Sequence, residues 1–252
     1  MLGKLLKYDF RAMWKQFSIV WPAVLIIALF NRFTLPIHHH SHWLNSNTVI
    51  GAIAISLFFS GIFAMFVVSM VFVLTRFYKG LLGDEGYLMH TLPVKTWQLL
   101  LSKLICAVVV TLMNIVVAGL SVCLIVPIQW WELLRWGTWK ILIERLIDQP
   151  DIPLLIAEVL LMMFTSLILT IMTMYISMAI GHLFHRHRII LSVVAYFVIY
   201  TVGSSLISIF FNWSVDTILS GNTHLMLWTS IGGSTALSCV MFFVTNYILE
   251  HR

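Results

Sequence analysis

The sequence predicts an all-α, polytopic membrane protein with six transmembrane helices, preceded by an N-terminal amphipathic interfacial helix, with both termini cytoplasmic. Three observations predict it. Hydrophobic residues make up 60% of the chain and charged residues 10%, with a mean hydropathy of +0.97. A soluble domain is nearer 45–50% apolar and about a quarter charged. The apolar residues come in runs of about 20 or more, the length that crosses a bilayer. The basic residues also sort to one side of those runs, as cytoplasmic Lys and Arg do. That sorting accounts for the formal net charge of +5 without a nucleic-acid partner. Residues 1–252 read as one transmembrane domain.

Residues 1–16 form the interfacial helix. At about 100° per residue, Leu2, Leu6, Phe10, Met13 and Phe17 share one side, and Lys4, Lys7, Arg11 and Lys15 the other. Such a helix lies on anionic lipid and keeps the N-terminus in the cytoplasm. It is not a cleavable signal, since the apolar run from Phe17 is too long and no small-residue cleavage site follows. Spans are expected at 17–36, 49–75, 98–128, 153–184, 189–211 and 225–249. Linkers His38–Thr48, Gln129–Ile152 and Asn212–His224 then lie outside and the others inside. Arg76, Lys79, Lys95, Lys103, Arg186, Arg188 and Arg252 join the N-terminal cations inside. Outside, Arg135, Lys140 and Arg145 are offset by Glu132, Glu144, Asp148 and Asp151, leaving Arg32. Trp14, Trp21 and Trp97 mark the inner interface, and Trp43, Trp130, Trp131, Trp136, Trp139, Trp213 and Trp228 the outer one.

The longest polar break is Arg76–Lys103, RFYKGLLGDEGYLMHTLPVKTWQLLLSK. A connector with no task needs only a few residues. This one carries Gly80, Gly83 and Gly86, the acidic pair Asp84 and Glu85, the apolar patch Tyr87, Leu88 and Met89, and then Thr91, Leu92 and Pro93. Pro93 disfavours α conformation at Leu92, so one short helix ends there and another begins after it. The loop, 76–97, reads as a cytoplasmic docking element.

GDEGYLMHTLPV followed by QLLLSKL resembles the loop between the second and third spans of small bacterial ABC-2-type transporter permeases. MLGKLLKYDFRAMWK is similar to that family's amphipathic N-terminal helix. The resemblance covers the whole chain in layout and these two stretches in motif. It implies that Gly83, Asp84, Glu85, Gly86, Tyr87, Leu88, Thr91, Leu92 and Pro93 couple to a separate ATPase subunit, which carries the ATP and Mg. It also implies a second permease copy or homologue, residence in the bacterial cytoplasmic membrane, and export of amphipathic peptides or similar hydrophobic molecules. A rival reading is a six-span substrate-capture or sensor subunit, which would hold a polar pocket within one copy.

Within the fifth span, Ser192, Tyr196, Tyr200 and Gly203 share one face, with Ser204, Ser205 and Ser208 alongside. Such a face either packs or lines a pathway. In the family resembled, the second and fifth spans face the partner across a cleft, which implies lining. Ser56, Ser60 and Ala64 of the second span read as packing. Asn114, near mid-span, should bond a neighbouring helix, and Glu158, close to Pro153 at interface depth, should be solvated. Cys106, Cys123 and Cys239 fall inside spans and read as small packing residues.

Other motifs weigh less. The tryptophan-rich segment 129–152 reads as a headgroup-embedded anchor rather than a lid. His38, His39, His40 and His42 lie on a loop without nearby Cys, Asp or Glu, so no metal is assigned. His182, His185 and His187 interleave with Arg186 and Arg188 as a solvated basic cap. The chain lacks a Gly-x-x-x-x-Gly-Lys-Ser/Thr loop, a His-Glu-x-x-His site and a nucleophile–base pair, so no catalytic residue and no cofactor is assigned to it.

Overall fold

A computed structural model describes residues 2–34, 47–82, 95–125, 151–184, 188–218 and 223–251, and every regular element among them is helical. In order these are α1 (Leu2–Thr34), α2 (Asn47–Phe77) running into a π-helical turn (Tyr78–Leu82), α3 (Thr96–Ile125), α4 (Asp151–His182), α5 (Arg188–Ile218) and α6 (Thr223–Glu250). Five stretches are long and apolar enough to cross a membrane: Gly51–Leu81, Thr96–Ile125, Asp151–His182, Ile189–Ile209 and Thr223–Glu250. Five spans become six if the two halves of α1, Leu6–Lys15 and Phe17–Phe33, count as one. Those halves meet at a 42° bend, where the two-faced sequence gives way to the apolar one. Just beyond the bend, Ser18 Oγ donates to the Lys15 carbonyl, and Pro22 has no amide to offer the Ser18 carbonyl, both of which loosen the helical ladder.

Burial is inverted relative to a water-soluble fold. Asp9, Asn31, Lys103, Asn114, Glu158, His182 and a series of Ser and Thr side chains are buried, while Phe33, Phe59, Phe63, Ile189 and Phe243 stand exposed. Hydrocarbon solvates apolar side chains and leaves polar ones to pair inside. The chain therefore has the build of a multi-pass membrane protein.

The chain clusters into two compact units. One holds Gly3–Val73 and Val109–Leu142, the other Leu74–Val108 and Ile143–Arg252 with Met1–Leu2. In the first, α1 buries Asp9, Met13, Phe17, Trp21, Val24, Ala28 and Asn31 along one stripe. Lys7, Arg11 and Lys15 are exposed as expected, but Phe10 is exposed too, because the buried stripe passes through Asp9 instead. Trp21 Nε1 donates to Asn114 Oδ1 at 2.8 Å, and Arg32 Nη1 donates to the Leu124 carbonyl at 3.1 Å, at the C-terminal end of α3. Both residue numbers rise together, so α1 and this part of α3 run parallel. Asn114 thus bonds a neighbouring helix as read from sequence. Trp21 does not serve as an interface anchor, since its indole is buried on a mid-helix amide. Ser56, Ser60 and Ala64 are also corrected: all three are exposed. The packed face of α2 is Ala54, Phe58, Met65, Ser69 and Val73, and each serine hydroxyl instead bonds a carbonyl one turn back.

In the second unit α4 and α6 run parallel, joined by Ser234 Oγ donating to Thr165 Oγ1 at 3.1 Å. Their seam is made of small and polar residues, Thr165 and Ser177 on α4 with Ser234, Ser238 and Thr245 on α6. Small residues let helix backbones approach closely where lipid provides no hydrophobic drive. Cys106 is buried and Cys239 exposed, and both are free thiols.

Candidate functional site

Three features of the second unit carry chemistry or mechanics. The first is the set of contacts at the end from which residues 83–94 leave. Phe77, fully buried at the end of α2, stacks on Tyr175 of α4 with ring centroids 4.1 Å apart and planes 10° from parallel. Tyr175 Oη donates to the Lys103 carbonyl at 3.2 Å. One residue on, Tyr78 meets the His182 ring at 5.6 Å. Gly80, inside the π turn, lies against Lys103: a Cβ there would sit 3.1 Å from its Cε and 3.2 Å from its Nζ. Thr96 Oγ1 donates to Asn246 Oδ1 at 3.0 Å, tying the start of α3 to the end of α6. Gly181 and Ser192 bring α4 and α5 into backbone contact, since a Cβ on Gly181 would lie 2.6 Å from the Ser192 nitrogen. Both flanks of the loop are therefore fastened to α4, and α4 to α5. His182, read as part of a solvated cap, is buried in this cluster.

The second feature is a cavity of about 350 Å³ midway along the helices. Leu169, Thr170 and Thr173 of α4, Ile199, Tyr200, Gly203, Ser204, Ile207 and Ser208 of α5, and Leu237 of α6 line it. Of the four residues singled out on α5, Tyr200 and Gly203 line this cavity. Tyr196 stacks on Tyr200 with centroids 6.1 Å apart, and Ser192 sits at the Gly181 crossing. Gly203 lies at ordinary contact distance from Leu237, 3.5 Å from where its Cβ would be.

The third lies at the opposite end of α4. Glu158 is 4% exposed, with Oε1 accepting from Trp228 Nε1 at 2.8 Å and Oε2 lying 2.7 Å from His224 Nδ1. The expectation of a solvated carboxylate is therefore overturned. α6 covers it, and supplies a second donor beside Trp228 when His224 carries its proton on Nδ1. Sequence reading also passed over Thr165, Ser234, Ser238 and Thr245. A Ser/Thr spacing of four and then seven residues in α6, which keeps one helix face, is the signal that could have found the last three.

Gly83, Asp84, Glu85, Gly86, Tyr87, Leu88, Thr91, Leu92 and Pro93, which the resemblance implies couple to an ATPase, lie outside the described residues, as do His38–His42 and 129–150. Among the described residues, no three His, Cys, Asp or Glu side chains come together. Compared with protein-family models, with curated proteins and with solved structures, the chain has no match in any of the three.

Proposed function

We propose that this chain is the membrane-spanning permease subunit of an ATP-driven ABC exporter that moves amphipathic peptides or similar hydrophobic molecules out of a bacterial cell. Six spans, both termini in the cytoplasm, and a site in the cytoplasmic membrane belong to this reading. So do a separate ATPase subunit holding ATP and Mg, and a second permease copy or homologue. The observation that supports it is the fastening of the helix ends that flank residues 83–94, through Phe77 and Lys103 to Tyr175 of α4. An element that only joined two helices would not need both flanks locked to a third, through the Phe77–Tyr175 stack, the Tyr175–Lys103 hydrogen bond and the Gly80–Lys103 contact. A push on the loop from a closing ATPase pair would reach α4 through these contacts, and α5 through the Gly181 crossing, as a rigid-body displacement between two states.

The test is charge reversal. With Asp84→Lys and Glu85→Lys, like charges would face a basic docking groove, while surface substitutions in a loop change stability by less than about 0.5 kcal/mol. The tagged wild-type chain should co-purify with an ATPase bearing a phosphate-binding loop and show cargo-stimulated turnover. The double variant should lose both while keeping the wild-type melting temperature. Retention of the ATPase and of stimulated turnover would remove the loop from the docking role.

One observation favours the rival capture or sensor subunit: the mid-helix cavity forms within a single copy. That reading expects ligand binding by the isolated chain and no ATPase in the purified complex.

A further inference from the structure

We infer that the α4–α5–α6 cavity is a binding site for a neutral, single-chain amphiphile taken from the bilayer, whose head carries hydroxyl donors. The site rests on the membrane residence of these helices, and not on ATPase docking.

Size sets the first limit. At about 350 Å³ the cavity is at the lower end of small-molecule sites, about 300–1,000 Å³. At about 30 Å³ per water, that is space for roughly a dozen non-hydrogen atoms. A small head with a stretch of one chain fits, and a folded peptide does not.

Hydrogen-bond bookkeeping sets the second. Thr170 Oγ1 donates to the Ser166 carbonyl, Thr173 Oγ1 to that of Thr170, Ser204 Oγ to that of Thr201, and Ser208 Oγ to that of Ser205. Each hydroxyl hydrogen is thus committed to its own helix, and each oxygen keeps acceptor capacity at the wall. Thr173 does so while buried, out of reach of bulk water. The wall therefore presents acceptors, with the Tyr200 hydroxyl adding a donor. A ligand head that brings its own O–H groups satisfies this arrangement.

Charge sets the third. None of the lining residues is acidic or basic. A carboxylate head would be desolvated without a cation, and an ammonium head without an anion, each at a cost of several kcal/mol. Neutral heads avoid that cost. The site is open at the surface of one copy, because Thr170, Tyr200, Ser204 and Ser208 are exposed and only 6% of the α5 span is buried, so a bilayer amphiphile can enter it from the side.

The experiment places the chain alone, without any ATPase, in nanodiscs doped with a monoacylglycerol that carries a photoactivatable diazirine in its acyl chain. Cross-linked peptides are mapped by mass spectrometry. Labelling of 169–173 and 199–208 should exceed that of the exposed α2 face around Phe59 and Phe63 at least ten-fold. Unlabelled monoacylglycerol should compete, and a fatty acid of the same chain length should not. Gly203→Leu, which fills the space toward Leu237, should remove the excess. Should that variant not purify as a single species, Thr170→Val with Ser208→Ala serves instead. It conserves volume and should erase the preference for monoacylglycerol over fatty acid. Equal labelling of α2 and α5 would overturn the site, and so would equal competition by the two lipids against the wild-type chain. Either result would leave the docking assay of the preceding section standing, since no ATPase takes part.

Discussion

Glu158, buried under α6, accepts a hydrogen bond from Trp228 on one oxygen and lies 2.7 Å from the His224 ring on the other. A carboxyl group buried within a membrane protein is retained where partners meet it. Glu158→Ala removes the Trp228 bond and the His224 contact and should cost about 1 kcal/mol, because Trp228 and His224 are themselves partly exposed. Trp228→Phe should cost less, because the carboxylate keeps His224. The two losses should fall short of additivity by at least about 0.5 kcal/mol, measured by thermal unfolding of the four proteins in detergent. Simple additivity would mean that the Trp228 bond does not hold α4 to α6. Asn114 could be read from sequence because an amide at mid-span has few options but another helix. Glu158 could not, because its partners lie 66 and 70 residues away and its proximity to Pro153 suggested water.

At the scale of elements, the bilayer makes helix length readable: among the described residues five stretches are long and apolar enough to cross a membrane, or six if the two halves of α1 count as one. Which face of a helix packs is much less readable, because apolar residues occupy both the lipid-facing and the protein-facing sides. Ser56, Ser60 and Ala64 have the spacing of a packing seam and are exposed. Ser234, Ser238 and Thr245 have it too, and are buried against α4. The crossing of α4 and α5 offers a sharper test. Gly181→Ala forces a Cβ to within 2.6 Å of the Ser192 nitrogen, a backbone atom that cannot swing aside. A loss of about 1–3 kcal/mol is expected, seen as a lower melting temperature. Gly203→Ala meets only Leu237 Cδ2 at 3.5 Å and should shift stability by less than about 0.5 kcal/mol. Equal effects at the two glycines would mean that the crossing is not close-packed.

For the whole molecule, the cavity between α4, α5 and α6 is chain-sized, so under the proposed function a peptide passage would form between two copies. With its ATPase in a nanodisc, the proposed exporter should assemble as two permeases and two ATPases, giving about twelve spans by doubling the six proposed for one chain. Light scattering coupled to size exclusion checks this, and a transport-active complex with one permease would exclude it. The all-helical membrane class was legible at this scale because composition is a property of the chain as a whole. The fastening to α4 of the helix ends that flank 83–94 was not. It depends on Phe77 meeting Tyr175 and on a π turn that places Gly80 beside Lys103, contacts between residues too distant in sequence for any local pattern to reveal.

The partners of Glu158 also arrive late. His224 is made 66 residues after it, which at about 5–20 residues per second is roughly 3 to 13 seconds of translation. Through that interval α4 holds a carboxyl group with neither of its α6 partners. Newly made α4 therefore reaches its final packing only once α6 has been made. The last helix to leave the ribosome is the one that completes the burial of the fourth, and a ribosome stalled between them would leave quality-control proteases a chain with an unpaired acid in its membrane segment.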